Sequence, residues 1–310
     1  MIDPFVLRWC RAVLQFTMIS NVDRLPLRAF HAPLEIAAVK QHRHQPEHGL
    51  VVIAHGAGEH AARYARLTGE LNRAGFAVLS MDHRGHGHSP GPGGLGDFGR
   101  AGWDGLVADL GQLIGWGHAL HPNAPLTLLG HSMGAAAAQH LCLTGSTQIS
   151  ALVLSGSTSM RQRQQRELAA VARGEAPTVG LARTGFENRT AFDWLSRDAA
   201  EVDKYIADPW CGFSFSDTVR ASMITRMALS DDAQLANIRP DLPVLLLAGD
   251  ADPINDELRG LHALASEWRA AGVRRIDTQF YSGGRHEMFN EINRDEVTAN
   301  MIEWITGLDS

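Results

Sequence analysis

The sequence predicts an α/β protein with a mostly parallel central sheet, helices on both faces and an inserted helical segment. Three observations carry that prediction. Short apolar runs alternate with helical patterns along most of the chain. One glycine-flanked serine stands where such a run meets an alanine-rich stretch. The alternation breaks once, between about Ser157 and Asp241, and then resumes.

Taken in order, Leu25–Phe30 and Leu34–Val39 suit an antiparallel edge hairpin. Six later segments read as buried strands: Leu50–Ala54, Ala77–Met81, Leu126–Leu129, Ala151–Leu154, Val244–Leu247 and Ile276–Tyr281. Helical patterns fall between most of them, at Ala61–Ala74, Trp103–Trp116, Ser132–Leu143, Asp256–Ala271 and Glu291–Ile305. Strand–helix–strand repetition of this kind builds parallel sheets, because each crossover returns the chain to the end of the sheet where the previous strand began.

The break in rhythm divides the chain. Residues 1–156 and 242–310 form the expected core, and 157–241 a helical cap inserted in it. Within the insertion, Phe186–Phe215 holds Phe186, Phe192, Trp194, Tyr205, Trp210, Phe213 and Phe215, a third of all the aromatic residues present. They form the insertion's own core, an apolar roof over a site beneath, or both. Phe192, Trp194, Trp210 and Phe213 are the candidates for substrate contact.

Composition bounds the function. The 310 residues are 45% hydrophobic and 20% charged, ordinary for a globular chain that buries a core. A net charge of −6 without a long basic run argues against nucleic acid as a partner. Cys10, Cys142 and Cys211 are few, odd in number and far apart, so no disulfide framework is expected. No apolar run is long enough to span a bilayer. Phe5–Ile19 is interrupted by Arg8, Arg11 and Gln15, which fits a helix packed on the body better than a signal peptide. A cytoplasmic location is the expectation.

The serine lies in Gly130-His131-Ser132-Met133-Gly134, after Pro125–Leu129 and before Ala135–Ala138. A strand, a sharp turn and a helix would place Ser132 just beyond the carboxyl end of its strand, and side chains at either glycine would crowd that turn. A serine hydroxyl needs a base, and the base needs an orienting acid. His286 follows the strand ending at Tyr281 and is the candidate base. Asp250, Asp252 and Asp256 all follow Val244–Leu247; Asp252, on the outer part of that loop, is the preferred acid, and Asp256 suits a helix cap. For a developing oxyanion, the N–H of Met133 and that of Ala57, in the glycine loop 55–60, are the candidate donors.

Other motifs read more plainly. His83, His86 and His88 follow a strand without a nearby cysteine or second carboxylate, so they suit a hydrogen-bonded turn rather than a metal site. The glycines of 91–96 neither follow a strand directly nor open a helix, which excludes a dinucleotide loop. His42, His44 and His48 lie in a polar connection. Neither a metal nor a cofactor is expected.

His55-Gly56-Ala57-Gly58-Glu59-His60 with Arg63-Tyr64, then Asp82 through Ser89, Gly130 through Gly134, Gly249-Asp250-Ala251-Asp252 and His286 form a linked set. Over residues 48–308 it resembles the monoacylglycerol lipase and lysophospholipase-like serine hydrolases of the α/β-hydrolase superfamily. The resemblance implies the α/β-hydrolase fold, a triad of Ser132, Asp252 and His286, oxyanion donors at Ala57 and Met133, and a helical cap between the sixth and seventh strands. It departs at Ala135, where the family often has a second glycine. The expected activity is hydrolysis of apolar carboxylic esters: monoacylglycerols, lysophospholipids or short-to-medium chain esters. The alternatives are an aminopeptidase, a C–C hydrolase, a haloperoxidase-type activity or a non-catalytic ligand-binding protein. The expected partners are a small or lipid-like ester and, through the cap, transient contact with a membrane surface; monomer and homo-oligomer both stay open.

Overall fold

A computed structural model of the chain describes residues 27–28, 35–36, 46–174, 189–226 and 232–308. The N-terminal helix expected at Phe5–Ile19 lies outside them. Of the expected edge hairpin, β1 (Leu27–Arg28) and β2 (Glu35–Ile36) pair antiparallel, but as a ladder separate from the main sheet.

The main sheet has six strands: β3 (Gly49–Ala54), β4 (Phe76–Ser80), β5 (Leu126–His131), β6 (Ala151–Ser155), β7 (Val244–Gly249) and β8 (Ile276–Tyr281). Their order is β4-β3-β5-β6-β7-β8 and every pairing is parallel. From β3 to β7 each residue of each strand is buried, which is why these strands read as unbroken apolar runs. Edge strand β8 is only partly buried and carries polar residues. Alternate side chains feed two cores. Leu50, Val52 and Ala54 of β3 pack with α2 (Gly102–Leu120) and α3 (Met133–Gly145) on one face; Val51 and Ile53 pack with α1 (Ala65–Arg73) on the other.

Sequence patterns locate the helices but not all their starts. The first begins as a 3₁₀ turn, Ala61–Tyr64, before α1 takes over.

Two features position the site. The chain leaves β3 for β4 at one edge, then returns past β3 to β5. The loops after β3 and β5 therefore part at the carboxyl end of the sheet, where parallel sheets open a crevice. Between β6 and β7 lie four helices, α4 (Met160–Ala172), α5 (Ala199–Ala207), α6 (Asp217–Arg226) and α7 (Asp232–Leu235), with no strand among the described residues. This insertion is tied back to the loop after β3: Gly58 O accepts from Gly212 N–H at 2.9 Å and from Tyr205 Oη at 2.8 Å. It is also tied to the loop after β8, where Glu287 N–H donates to Leu195 O at 2.7 Å. Two further helices, α8 (Arg259–Ala270) and α9 (Arg294–Thr306), complete the described α-helices. No described helix is long and apolar enough to cross a membrane.

Candidate active site

Ser132 stands between β5 and α3 with φ 53° and ψ −113°, a conformation that side-chain-bearing residues rarely adopt. Its N–H donates to Ser155 O at 2.9 Å, and its carbonyl accepts the first turn of α3 from Ala136 at 3.0 Å. The flanking glycines make the turn possible. A Cβ at Gly134 would lie 2.0 Å from Ala54 O, and one at Gly130 2.6 Å from Gly134 O. Strand, turn and helix could not close up around larger residues.

Ser132 and His286 line one cavity of about 260 Å³. His286 Nδ1 lies 2.9 Å from Asp252 Oδ2, with both side chains almost wholly buried. The other carboxylate oxygen, Asp252 Oδ1, accepts from Ile254 N–H at 2.9 Å, so the acid is held on both sides. Burial disfavours an imidazolium at 286, but the Asp252 charge and hydrogen bond outweigh it and raise the pKa above the ordinary 6.5. The ring packs between Trp194 and His131, each with its centroid 4.8 Å away. His131 goes the other way: burial and the neighbouring His286 lower it to about 4.

The competing carboxylates have other partners. Asp250 Oδ1 accepts from Gly283 N–H at 2.7 Å. Asp256 pairs with Arg259 at 2.9 Å on the surface. It does not cap the following helix as its spacing suggests, because residues 256–258 all take positive φ and α8 begins only at Arg259.

Ala57 and Met133 also line the cavity. Gly56 N–H is taken by Glu59 Oε1 at 2.5 Å, whereas neither Ala57 N–H nor Met133 N–H has an acceptor among the described residues. Met133 opens α3, so its free N–H carries the positive end of the helix dipole. Of the aromatic candidates, Phe192, Trp194 and Phe213 line the cavity, joined by Tyr205 and Phe215. Trp210 is placed differently. Its ring packs on His88 at 3.9 Å and on His60 at 5.6 Å, outside the cavity wall.

Sequence reasoning missed a buried ion network beside the cavity. Arg63 donates to Glu287 through both terminal nitrogens, at 2.6 and 2.7 Å, and to Glu59 at 2.6 Å. Tyr64 Oη donates to Glu59 at 2.8 Å, and the Arg63 guanidinium stacks over the Tyr205 ring at 4.8 Å. Burial pushes both carboxylates towards protonation, yet Arg63 holds each below the ordinary range. Adjacency was the available signal: Glu59 lies in the loop of Ala57, and Glu287 follows His286.

His83, His86 and His88 do not converge on a metal position. His83 N–H donates to His55 Nε2 at 2.9 Å, His86 Nδ1 lies 3.1 Å from Arg84 O, and His88 Nδ1 3.1 Å from Asp82 Oδ2. Among the described residues, the donor set that could hold an ion is His60, Asp208 and Cys211, whose ligand atoms lie within 4.8 Å of one another. His60 Nε2 is already 2.8 Å from Asp208 Oδ2 there, and none of the three lines the cavity.

A parallel sheet that presents a positive-φ serine between its central strand and the next helix, with a buried His–Asp pair across the same cavity, defines an α/β-hydrolase. Residues 45–293 match the family model described as serine aminopeptidase, S33, and the chain belongs to that family. It is 31% identical to a monoacylglycerol lipase of Mycolicibacterium smegmatis, over 83% of this chain and 88% of that protein. It is also 31% identical to the monoglyceride lipase of Rattus norvegicus, over 83% and 80%. Among solved structures, a thermostable carboxyl esterase from Bacillus coagulans superimposes with TM-score 0.82 at 26% identity, covering 94% of this chain and 99% of that one. A monoacylglycerol lipase from Paleococcus ferrophilus gives 0.63 at 28% identity, over 84% and 95%.

Proposed function

We propose that the chain hydrolyses carboxylic esters with an apolar acyl group, of the monoacylglycerol type, through an acyl-enzyme on Ser132. One observation carries this: a strained, half-buried serine shares a cavity with His286, itself paired to the buried Asp252, and with two backbone N–H groups that have no acceptor among the described residues. His286 takes the Ser132 proton as Oγ attacks the ester carbonyl, then gives it to the departing alcohol oxygen. Asp252 fixes the tautomer that leaves Nε2 free and stabilises the imidazolium. The carbonyl oxygen, now charged, rests on the Ala57 and Met133 N–H groups. Water, deprotonated by the same histidine, releases the acid and restores Ser132. In this reading residues 157–241 act as a cap, and Phe192, Trp194 and Phe213 receive the acyl chain.

The names of the relatives support an ester rather than a peptide substrate, and so does the wall of the cavity. An aminopeptidase holds its substrate's ammonium group on a free carboxylate. The two glutamates lining this cavity, Glu59 and Glu287, are both engaged by Arg63. The test is labelling by a fluorophosphonate, followed by turnover of p-nitrophenyl esters, a monoacylglycerol and an aminoacyl amide. Labelling at Ser132 with turnover of the esters is expected; turnover of the amide alone would overturn the reading.

A further inference from the structure

The cavity that holds Ser132 also holds a cation without a counter-ion among the described residues. Arg163 lies in the first turn of α4 and lines that cavity. Its backbone N–H donates to Ser159 O at 3.0 Å, but its guanidinium has no hydrogen bond or ion pair among the described residues. Other buried or cavity-lining arginines differ in this respect. Arg84 is locked on Asp109 at 2.7 Å, Arg63 is shared by Glu59 and Glu287, and Arg220 in the same wall has a partner.

The carboxylates whose charge Arg163 feels are Glu167, one helical turn on, and Asp252. Neither comes within ion-pair distance, and both oxygens of Asp252 are occupied, by His286 and by Ile254 N–H. Arg166 adds a like charge. Trp194, in the same wall, contributes a second donor without an acceptor, since its buried Nε1 is unpartnered among the described residues.

Arg163 is half-buried; a guanidinium keeps its charge at any physiological pH, and holding it unpaired even partly away from water is costly. The cost is recovered if a ligand brings the missing charge. A planar fork of N–H donors is complementary to the oxygens of a phosphate or carboxylate. We propose that Arg163 binds an anionic group of the substrate, so that the cavity selects esters carrying a phosphate or carboxylate in addition to the scissile bond. This rests on the ester-hydrolase reading above and narrows its substrate class. The anion belongs either to the leaving alcohol, as in a lysophosphatidic acid, or to the acyl group, as in a monoester of a dicarboxylic acid.

Two matched pairs separate these sources: 1-oleoylglycerol 3-phosphate against 1-oleoylglycerol, and mono-p-nitrophenyl adipate against p-nitrophenyl hexanoate. The wild type should prefer the anionic member of at least one pair. Arg163→Gln should lower that preference, as a ratio of kcat/KM, about tenfold or more, and Arg163→Lys should retain part of it. The pair that responds tells which side of the ester carries the charge. An unchanged ratio in Arg163→Gln overturns the proposal and leaves the hydrolase reading intact. Failure on all four esters, together with no fluorophosphonate labelling, overturns both. Should Arg163→Gln not fold, the wild type decides by itself: equal rates within each pair overturn the anion site.

Discussion

Arg63 grips Glu287 through both terminal nitrogens, at 2.6 and 2.7 Å, and so joins the helix entry after the Ala57 loop to the residue next to His286. Glu59 closes the network from the loop itself. Removing the cation would leave two buried carboxylates facing each other. Arg63→Leu should therefore destabilise the fold by about 3–5 kcal/mol near neutral pH, read by urea denaturation. The sign with pH follows from the depressed carboxylates. Their stabilising contribution in the wild type is present above the unfolded pKa and is lost as pH falls through the folded one. Without Arg63 both carboxylates would bind protons more readily, so the mutant's deficit should shrink as the pH is lowered. A deficit independent of pH would mean that packing, not charge, is what Arg63 contributes.

Ser132→Ala should lower kcat for any ester by roughly 10³-fold or more and leave the fold intact. Ser132→Gly should be equally inactive but at least as stable as the alanine variant. Relief of positive-φ strain, on the order of 1–3 kcal/mol, offsets the backbone entropy of a glycine, roughly 0.5–1 kcal/mol. Near-wild-type turnover by either variant would remove Ser132 from the mechanism.

Five strands of the main sheet, β3 to β7, are legible in the sequence because each is buried on both faces, which leaves an apolar run; edge strand β8, only partly buried, is marked by its Ile276 and its Phe280-Tyr281 end. The elbow is legible for the opposite reason, since Gly130 and Gly134 each meet backbone closer than any Cβ could stand. What local pattern cannot give is partnership across the chain. The Arg63–Glu287 pair spans 224 positions, and only the folded loops bring it together. The left-handed run at 256–258 delays α8, which no helical periodicity reveals. Aromatic concentration likewise marks the insertion as apolar without saying which rings face inward: Phe213 does and Trp210 does not.

Asp252→Asn should cost on the order of 10²–10⁴ in kcat, because the amide cannot stabilise the His286 imidazolium. Asp250→Asn and Asp256→Asn should cost far less, since one accepts from Gly283 N–H and the other pairs with Arg259 on the surface. If Asp250→Asn proves the crippled variant, the acid has been placed two residues too late.

In the proposed mechanism His286 must be neutral to accept the serine proton. Its pKa is raised by Asp252, so kcat/KM should rise with pH along a limb centred above the ordinary 6.5. Stability carries the opposite sign: the Asp252–imidazolium pair stabilises the fold below the unfolded pKa, and that contribution is lost as pH rises through the folded pKa. Activity should therefore grow through the window in which this contribution fades. An acid limb well below 6.5 would show that Asp252 does not govern His286.

The cavity's aromatic wall should be read out by acyl length. Each methylene buried against Phe192, Trp194 and Phe213 adds up to roughly 0.8 kcal/mol, so kcat/KM for p-nitrophenyl esters should climb from acetate until the cavity is full. Phe213→Ala should flatten that climb and affect the acetate ester least. Trp210→Ala should behave differently, because its ring holds His60 and His88 rather than facing the cavity. Its losses should be of similar size on short and long esters and should be accompanied by a lower Tm. A flattened chain-length profile in Trp210→Ala, with Tm unchanged, would return that ring to the acyl site and move the cavity's outer wall with it.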